Sequence, residues 1–585
     1  MPEHLPPFVL FFMGALVLPF LPRRIRGWVF LVPPLAVLWL LSGLESGTSA
    51  SVSFLLWELQ PLRVDRLSLL FGWVFAMAAF VGGVYALHLK DTGQQVAALL
   101  YAGSALGAVF AGDLLTLFVF WEVMALTSAY LVLARRTQVS RASGMRYLYV
   151  HLGGGVILLA GIVLHWVESG SLAFELFEPR TTAAWLILVG FALNAAVPPL
   201  HAWLADAYPE ATVTGAVFMS AFTTKTAVYA LARGFWGWEI LVPAGVIMAL
   251  YGVVYAVLSD DIRRLLAYHI VSQVGYMVAG VGLGTEMGLN GATAHAFTHI
   301  LYKGLLFMGA GVVLYSTGRS KLSELGGLAR YMPWTVALYM IGAFSISGFP
   351  LWSGFVSKSI TVEAAELLSR ENVVLLLHLA SIGTFLHTGL KLPYFTWWGP
   401  RRTYEPKPIP WNMVAAMAIA ALLNTWIGLF PGGLYSILPH AIDYEAYTFS
   451  HVVKAAQLLG FTFLAFWIFR AKLGGEALMA LDTDWVYRRP ARASYALGPA
   501  VVARAFGVVD RVVYGLVGGV VRVGRDPVGW LERMGSVKTK AASGALRVEG
   551  GEGAETASTS FRVSIAAGAI LALFTLLIFF LRIVV

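Results

Sequence analysis

The sequence predicts an all-α polytopic membrane protein of about sixteen transmembrane helices, and three observations lead there. Hydrophobic residues make up 58% of the 585 positions and charged residues 12%, with a mean hydropathy of +0.74, outside the range of soluble globular chains. Apolar runs recur along most of the chain, many near the ~20 residues that a spanning helix needs. Several runs contain a lone ionisable residue or a proline, features that mark cavities and pathways in membrane bundles.

In order, the apolar runs fall near 8–22, 27–44, 67–87, 94–111, 113–134, 145–168 and 183–200. They continue near 213–233, 240–258, 264–284, 290–316, 333–366, 373–396, 411–431, 453–470 and 562–583. Phe8 to Leu21 lacks a charged leading segment, so it reads as a retained helix. Lysine and arginine set the orientation. With the N-terminus outside, one set of loops gathers Arg23, Arg24, Arg135, Arg136, Arg146, Arg263, Arg319 and Arg401 among sixteen basic residues. The other set, before residue 450, holds only Arg63, Arg66, Arg180, Arg233 and Arg370. The expected placement is a prokaryotic plasma membrane, with residues 471–561 on the cytoplasmic face.

Residues 471–561 differ in character. Arg504, Arg511, Arg522 and Arg525 fall within about 60° of one another on a helical wheel, as in basic amphipathic helices lying on a membrane. Residues 535–560 read as a linker before a final anchor. The expected division is 1–90 N-terminal helices, 91–258 and 259–400 two core repeats, and 401–475 additional helices. Residues 476–560 would be surface helices with linker, and 561–585 an anchor.

The net charge of +9 fits cytoplasmic loops better than nucleic acid. The absence of cysteine excludes disulfides, thiolate zinc sites and iron–sulfur clusters within this chain. No nucleotide loop, metal-ligand cluster or nucleophile–base arrangement points to an independent enzyme, and no cofactor is expected.

The chemistry concentrates in Ala294-His295-Ala296-Phe297-Thr298-His299-Ile300-Leu301-Tyr302-Lys303. His295, His299 and Lys303, spaced i, i+4, i+8, share one helix face. Lys303 is too deep in its apolar run to snorkel easily, and three titratable groups stacked turn over turn suggest a proton relay. The alternative is packing histidines. A metal at His295 and His299 is disfavoured by the neighbouring Lys303. Glu122 and Lys225 are single charges in mid-run, and the economical solution is that their helices meet in a buried acid–base pair, for transport or for assembly. Two runs are interrupted, at Asn194–Trp203 around Pro198-Pro199 and at Ser345–Pro350, freeing carbonyls at membrane depth. Lys358 follows the second break and Lys391 lies further on, so Glu122, Lys225, the His295–Lys303 face, Lys358 and Lys391 form a series of proton-transfer candidates across the bundle, with inward snorkelling toward Arg401 the alternative for Lys391. Asn194, His201 and His387 are further polar positions suited to holding water.

The chain resembles the antiporter-like subunits of respiratory complex I and the A-type and D-type subunits of Mrp multisubunit Na⁺/H⁺ antiporters. The resemblance rests on Phe120-Trp121-Glu122, Val197-Pro198-Pro199-Leu200-His201-Ala202-Trp203-Leu204, Leu266-Ala267-Tyr268 with Ser272-Gln273-Val274-Gly275-Tyr276, the His295–Lys303 face, and Ser347-Gly348-Phe349-Pro350 with Gly354-Phe355-Val356-Ser357-Lys358. It covers about 90–430. The tail more loosely resembles the lateral-helix-plus-anchor ending of the largest complex I member. The resemblance implies two inverted five-helix repeats, each with one broken helix. It also implies proton-transfer roles for Glu122, Lys225, His295, His299, Lys303 and Lys358, and partnership with other hydrophobic subunits. Protons, and Na⁺ as exchanged ion, are the implied cargo. A redox-driven pump and an energiser of inorganic-carbon uptake are the rival readings. One position departs: Asn194 stands where the family usually has a lysine, so a protonation site is missing from the first half.

Overall fold

The computed structural model describes residues 5–178 and 180–470, with 473, 482, 483 and 485. The expected amphipathic helices of 476–560 and the anchor of 561–585 lie outside the described residues.

Every apolar run before residue 470 falls on one or more helices. The first are α1 (Pro7–Val17), α2 (Arg23–Val29) and α3 (Val32–Leu41). A hairpin follows, with β1 (Ser49–Phe54) antiparallel to β2 (Trp57–Arg63). This corrects the all-α expectation. Ser-Ala-Ser-Val-Ser-Phe alternates along a half-buried strand, a period-2 signal hidden between two strongly apolar helices. The hairpin is tied down where the Gln60 amide donates to Asp113 Oδ2 at 2.7 Å.

The main body comprises α4 (Arg66–Tyr85), α5 (Thr92–Phe110), α6 (Leu114–Leu133), α7 (Gln138–Ser169), α8 (Thr182–Asn194), α9 (Ala202–Ala207), α10 (Val213–Ala221), α11 (Thr223–Gly234), α12 (Leu241–Leu258), α13 (Ile262–Gly282) and α14 (Glu286–Thr317). It continues with α15 (Pro333–Ser347), α16 (Ser353–Leu367), α17 (Glu371–Thr384), α18 (Trp411–Leu429), α19 (Gly432–Tyr435) and α20 (Phe449–Phe469). Beyond α17 the chain winds more widely, with π-helical turns at Phe385–Lys391 and Tyr394–Trp398.

Ten helical stretches among the described residues are long and apolar enough to cross a membrane unaided, fewer than the sixteen expected. The difference has a physical cause. The run at 213–233 is divided at Phe222 and that at 333–366 after Ser347, while the helices Pro7–Phe20, Thr182–Asn194 and Pro333–Ser347 are short.

Helix α14 is the core of the body, with nearly all of its residues from Gly288 to Val313 buried. It packs against α10, α13, α15, α16 and α18. Helices α12 and α13 meet backbone to backbone: a Cβ on Gly252 would stand 2.5 Å from both Ser272 N and Tyr268 O. On the arginine-rich face, Arg146 forms a bidentate pair with Asp206 at 2.8 and 2.9 Å, and Arg135 pairs with Glu210 at 3.0 Å. On the opposite face, Arg233 grips both oxygens of Asp65, which also caps α4.

Candidate functional site: a buried polar path through the bundle

The face of α14 forms as its spacing requires. His295, His299 and Lys303 are fully buried and lie on one helix. Their surroundings differ. His295 Nδ1 stands 3.1 Å from Ser357 Oγ, which is 2.8 Å from Thr298 Oγ1. On its other side, His295 Nε2 is 3.4 Å from the Tyr302 hydroxyl, which donates to Gln273 Oε1 at 3.4 Å. Neither nitrogen of His299 has a hydrogen-bond partner among the described residues, and neither does Lys303 Nζ. Burying a polar group unpaired is costly, so these are positions where the fold gives up stability.

The other lysines share a different solution. Lys225 Nζ donates to Ser220 O at 2.6 Å, in the last turn of α10. Lys358 Nζ donates to Ile346 O at 2.6 Å, in the last turn of α15. Lys391 Nζ donates to Val257 O at 2.8 Å, in the last turn of α12. Each ammonium answers a carbonyl orphaned at a helix end, where the helix dipole is negative. The breaks therefore create the docking places for the charges. The first break is closed differently: Trp203 Nε1 donates to Leu193 O at 3.0 Å beside Asn194. Asn194 is buried, and its carboxamide atoms lack protein partners among the described residues. His201 is buried with its ring edge-on to Tyr251.

The expected Glu122–Lys225 pair does not form. Glu122 is half-buried on α6 and faces α7, where a Cβ on Gly155 would collide with its Oε1. Helix α11 packs instead on α8, α13, α5 and α14, and no ion pair joins Lys225 to Glu122 among the described residues. A small residue on α7 gives the carboxyl a niche, so the acid and the lysine occupy separate places. Lys225 belongs with the central face, since its charge acts on both His299 and Lys303.

Lys358 borders a cavity of about 100 Å³. The lining also includes Glu363 and Glu366, further along α16, with His378, His451 and Lys454. His451 Nε2 lies 3.5 Å from Glu363, and Lys454 Nζ 3.5 Å from Glu366, so α20 pairs with the far end of α16. Lys358 Nζ also sits 5.2 Å from the centre of the Tyr276 ring.

Sequence reasoning missed His269 and gave Gln273 and Tyr276 no role beyond the family motif. They recur at i, i+4, i+7 on α13, the same signal that revealed α14, and all three are buried. The ring of His269 lies 5.8 Å from that of His387. The wide-wound segment bearing His387 and Lys391 borders an apolar cavity of about 550 Å³ lined by Phe385, Gly389, Pro393 and Trp398 among others.

A family model described as NADH:quinone oxidoreductase/Mrp antiporter, TM, matches residues 111–386, the segment holding Glu122, Lys225, the α14 face and Lys358. The chain belongs to this antiporter-like family. Hydrogenase-4 component B of Escherichia coli (strain K12) is 32% identical over 428 residues, 65% of this chain and 64% of that protein. The D-type subunit of the Na⁺/H⁺ antiporter of Alkalihalophilus pseudofirmus is 32% identical over 320 residues, 51% of this chain and 64% of the relative. The chain thus spans a little under two thirds of the length of either. In the solved Mrp complex from Dietzia sp. DQ12-45-1b, one chain matches with a TM-score of 0.67 at 24% identity, covering 78% of this chain and 97% of that one, which establishes the shared fold. Members of the antiporter-like family occur as subunits of multisubunit membrane complexes, beside other hydrophobic chains.

Proposed function

We infer that this chain is the proton-translocating subunit of a multisubunit monovalent cation/proton antiporter, with Na⁺ as the exchanged ion. The observation that carries the reading is the buried sequence of titratable groups from Lys225 through His299, Lys303 and His295 to Ser357 and Lys358. Protons load in the first half at Glu122 and Lys225, cross on the α14 face and leave by Lys358. Lys358 opens on the cavity edged by Glu363 and Glu366, which serves as the outlet. The two repeats run inversely, the N-terminus is outside, and the outlet faces the exterior of a prokaryotic cell. An imidazole has two ring nitrogens, so it can take a proton on one side and release it from the other, which suits the crossing positions. The similarity to the D-type chain of a Na⁺/H⁺ antiporter supports the cation-coupled version.

A second reading has its own support. The similarity to hydrogenase-4 component B supports a pump driven by redox partners.

Ion-dependent ΔpH in vesicles carrying the native complex tests both, with wild type set against Lys303→Ala. Collapse of ΔpH by Na⁺, K⁺ or Li⁺ only in the wild type is expected. A ΔpH generated by a reductant and unaffected by these cations identifies the redox pump. Unchanged transport in Lys303→Ala defeats the relay in either case.

A further inference from the structure

The geometry points to a second proton inlet, in which His269 and His387 connect the α14 face to Lys391 at the cytoplasmic end of α12. It rests on the proton-translocating reading above and adds a branch that the α14 stripe does not contain.

Four observations carry it. First, the α14 face has a lateral contact. Tyr302, one turn from His299 and 3.4 Å from His295 Nε2, reaches Gln273 of α13. Gln273 Oε1 accepts from that hydroxyl while its Nε2 donates to Thr384 Oγ1 at 3.3 Å, so Gln273 fixes Tyr302 between His295 and α13. Second, His269 is one turn from Gln273 on the same face of α13, fully buried, with no partner on either nitrogen among the described residues. Helix α13 packs on α14 and α16, the helices that carry Lys303 and Lys358, which places His269 beside the main path. Third, the His387 ring lies 5.8 Å from that of His269, and its nitrogens are likewise buried and unpartnered among the described residues. Transfer between the two rings is assigned to bridging water. Two imidazoles tilted by 41° to each other deep in an apolar bundle, neither hydrogen-bonded among the described residues, lack the fixed acceptor that holds a structural histidine.

Fourth, the branch ends in the right place. Lys391, four residues after His387, is moored to Val257 O and feels the carboxylate of Asp260. Asp260 is itself held at the arginine-rich face by Ser323, whose amide and hydroxyl donate to it at 3.0 and 2.6 Å. A proton taken up from the cytoplasmic face beside Asp260 passes to Lys391, then His387 and His269, and crosses past Gln273, which holds the Tyr302 hydroxyl in place, to His295. His295 hands it toward Ser357 and Lys358. Each transfer returns the donor to its former charge once the next proton arrives, so no other reactant is needed. The branch supplies the central face without using the first half, where Asn194 cannot carry a proton charge.

Two arms test the proposal in the native complex. In the transport arm, H269Q and H387Q are each expected to lower ΔpH-linked transport tenfold or more in complexes that assemble normally, alongside Lys303→Ala. Wild-type transport in H387Q, with Lys303→Ala inactive, overturns the inlet while leaving the proposed function standing. Wild-type transport in Lys303→Ala defeats the proposed function itself. The access arm is independent of transport and of whether the histidine variants assemble. Because the chain has no cysteine, K391C offers a single thiol, read by mass shift of this chain after exposure to a charged methanethiosulfonate. Modification in everted vesicles, with none in right-side-out vesicles, is expected. A thiol that reacts only from outside, or only after denaturation, overturns the inlet. L379C, on an apolar position of α17 that is 52% exposed, calibrates background labelling.

Discussion

Lys303 makes a prediction in which stability and transport move in opposite directions. Its ammonium nitrogen has no hydrogen-bond partner among the described residues, and the side chain is fully buried. A lysine at the centre of a spanning helix costs ~2.5–3.5 kcal/mol on insertion scales. Lys225, Lys358 and Lys391 recover part of such a cost through a helix-end carbonyl, and Lys303 does not. Methionine keeps the unbranched stem and fills the same space without the charge. Lys303→Met is therefore expected to stabilise the subunit by about 2–3 kcal/mol, the desolvation it no longer carries. Transport should nevertheless fall at least tenfold. Alanine mixes this effect with a cavity, which itself destabilises by ~2–5 kcal/mol in a packed core. The assay pairs ΔpH-linked transport in vesicles with the thermal midpoint of the detergent-solubilised complex. Retention of wild-type transport refutes the relay. A midpoint several degrees below wild type refutes the view that Lys303 is unpartnered.

Two further predictions concern the scaffold. Asp65 lies just outside α4; burial alone would raise its carboxyl, but Arg233 and the Ser68 amide outweigh that and hold it below the usual carboxylate range. Since asparagine caps a helix as well as aspartate does, Asp65→Asn isolates the charge and is expected to cost about 1–2 kcal/mol, discounted for a side chain 35% exposed. A folded-state value below that of the unfolded chain means the contribution is complete above pH ~4 and disappears as pH falls through the folded value. The wild-type–variant gap in urea midpoint should therefore narrow as pH falls below ~4, and a gap independent of pH counts against the ion pair. Gly275→Ala would press a Cβ to 2.6 Å from Ala249 N, against backbone that cannot yield. A loss of ~1–3 kcal/mol or failed assembly is expected, checked by thermal midpoint, and wild-type stability would show that the seam is loose.

How far the sequence reached depended on whether a feature was local. The α14 face was legible because an i, i+4, i+8 stripe of histidine and lysine is a property of one helix, and burial on all sides confirmed its depth. The two proline-marked breaks were legible for the same reason. The break at Phe222 carries no proline or glycine and was not. Glu122 and Lys225 were joined because each lacked a partner within its own run. The true neighbours, the Gly155 niche and the Ser220 carbonyl, are invisible to a search for opposite charges. His269 was passed over because one histidine in an apolar helix gives no pattern until Gln273 and Tyr276 are counted with it. The hairpin at 49–63 lost out to the helical expectation set by its surroundings.

The glycine seam between α12 and α13 bears on the rate at which the molecule can work. Where Gly245, Gly252 and Gly275 bring two backbones together, no side chains remain to rotate out of the way. Sliding or turning α13 would drive amide against carbonyl along its length. Such displacements belong to microseconds and longer, whereas ring reorientation of a side chain is a matter of picoseconds to nanoseconds when unhindered. With His269 fixed in position by its helix, traffic past it is timed by the imidazole and by water. Any slower, gated step falls to the wide-wound stretch from Phe385 to Trp398, which faces a cavity instead of a seam.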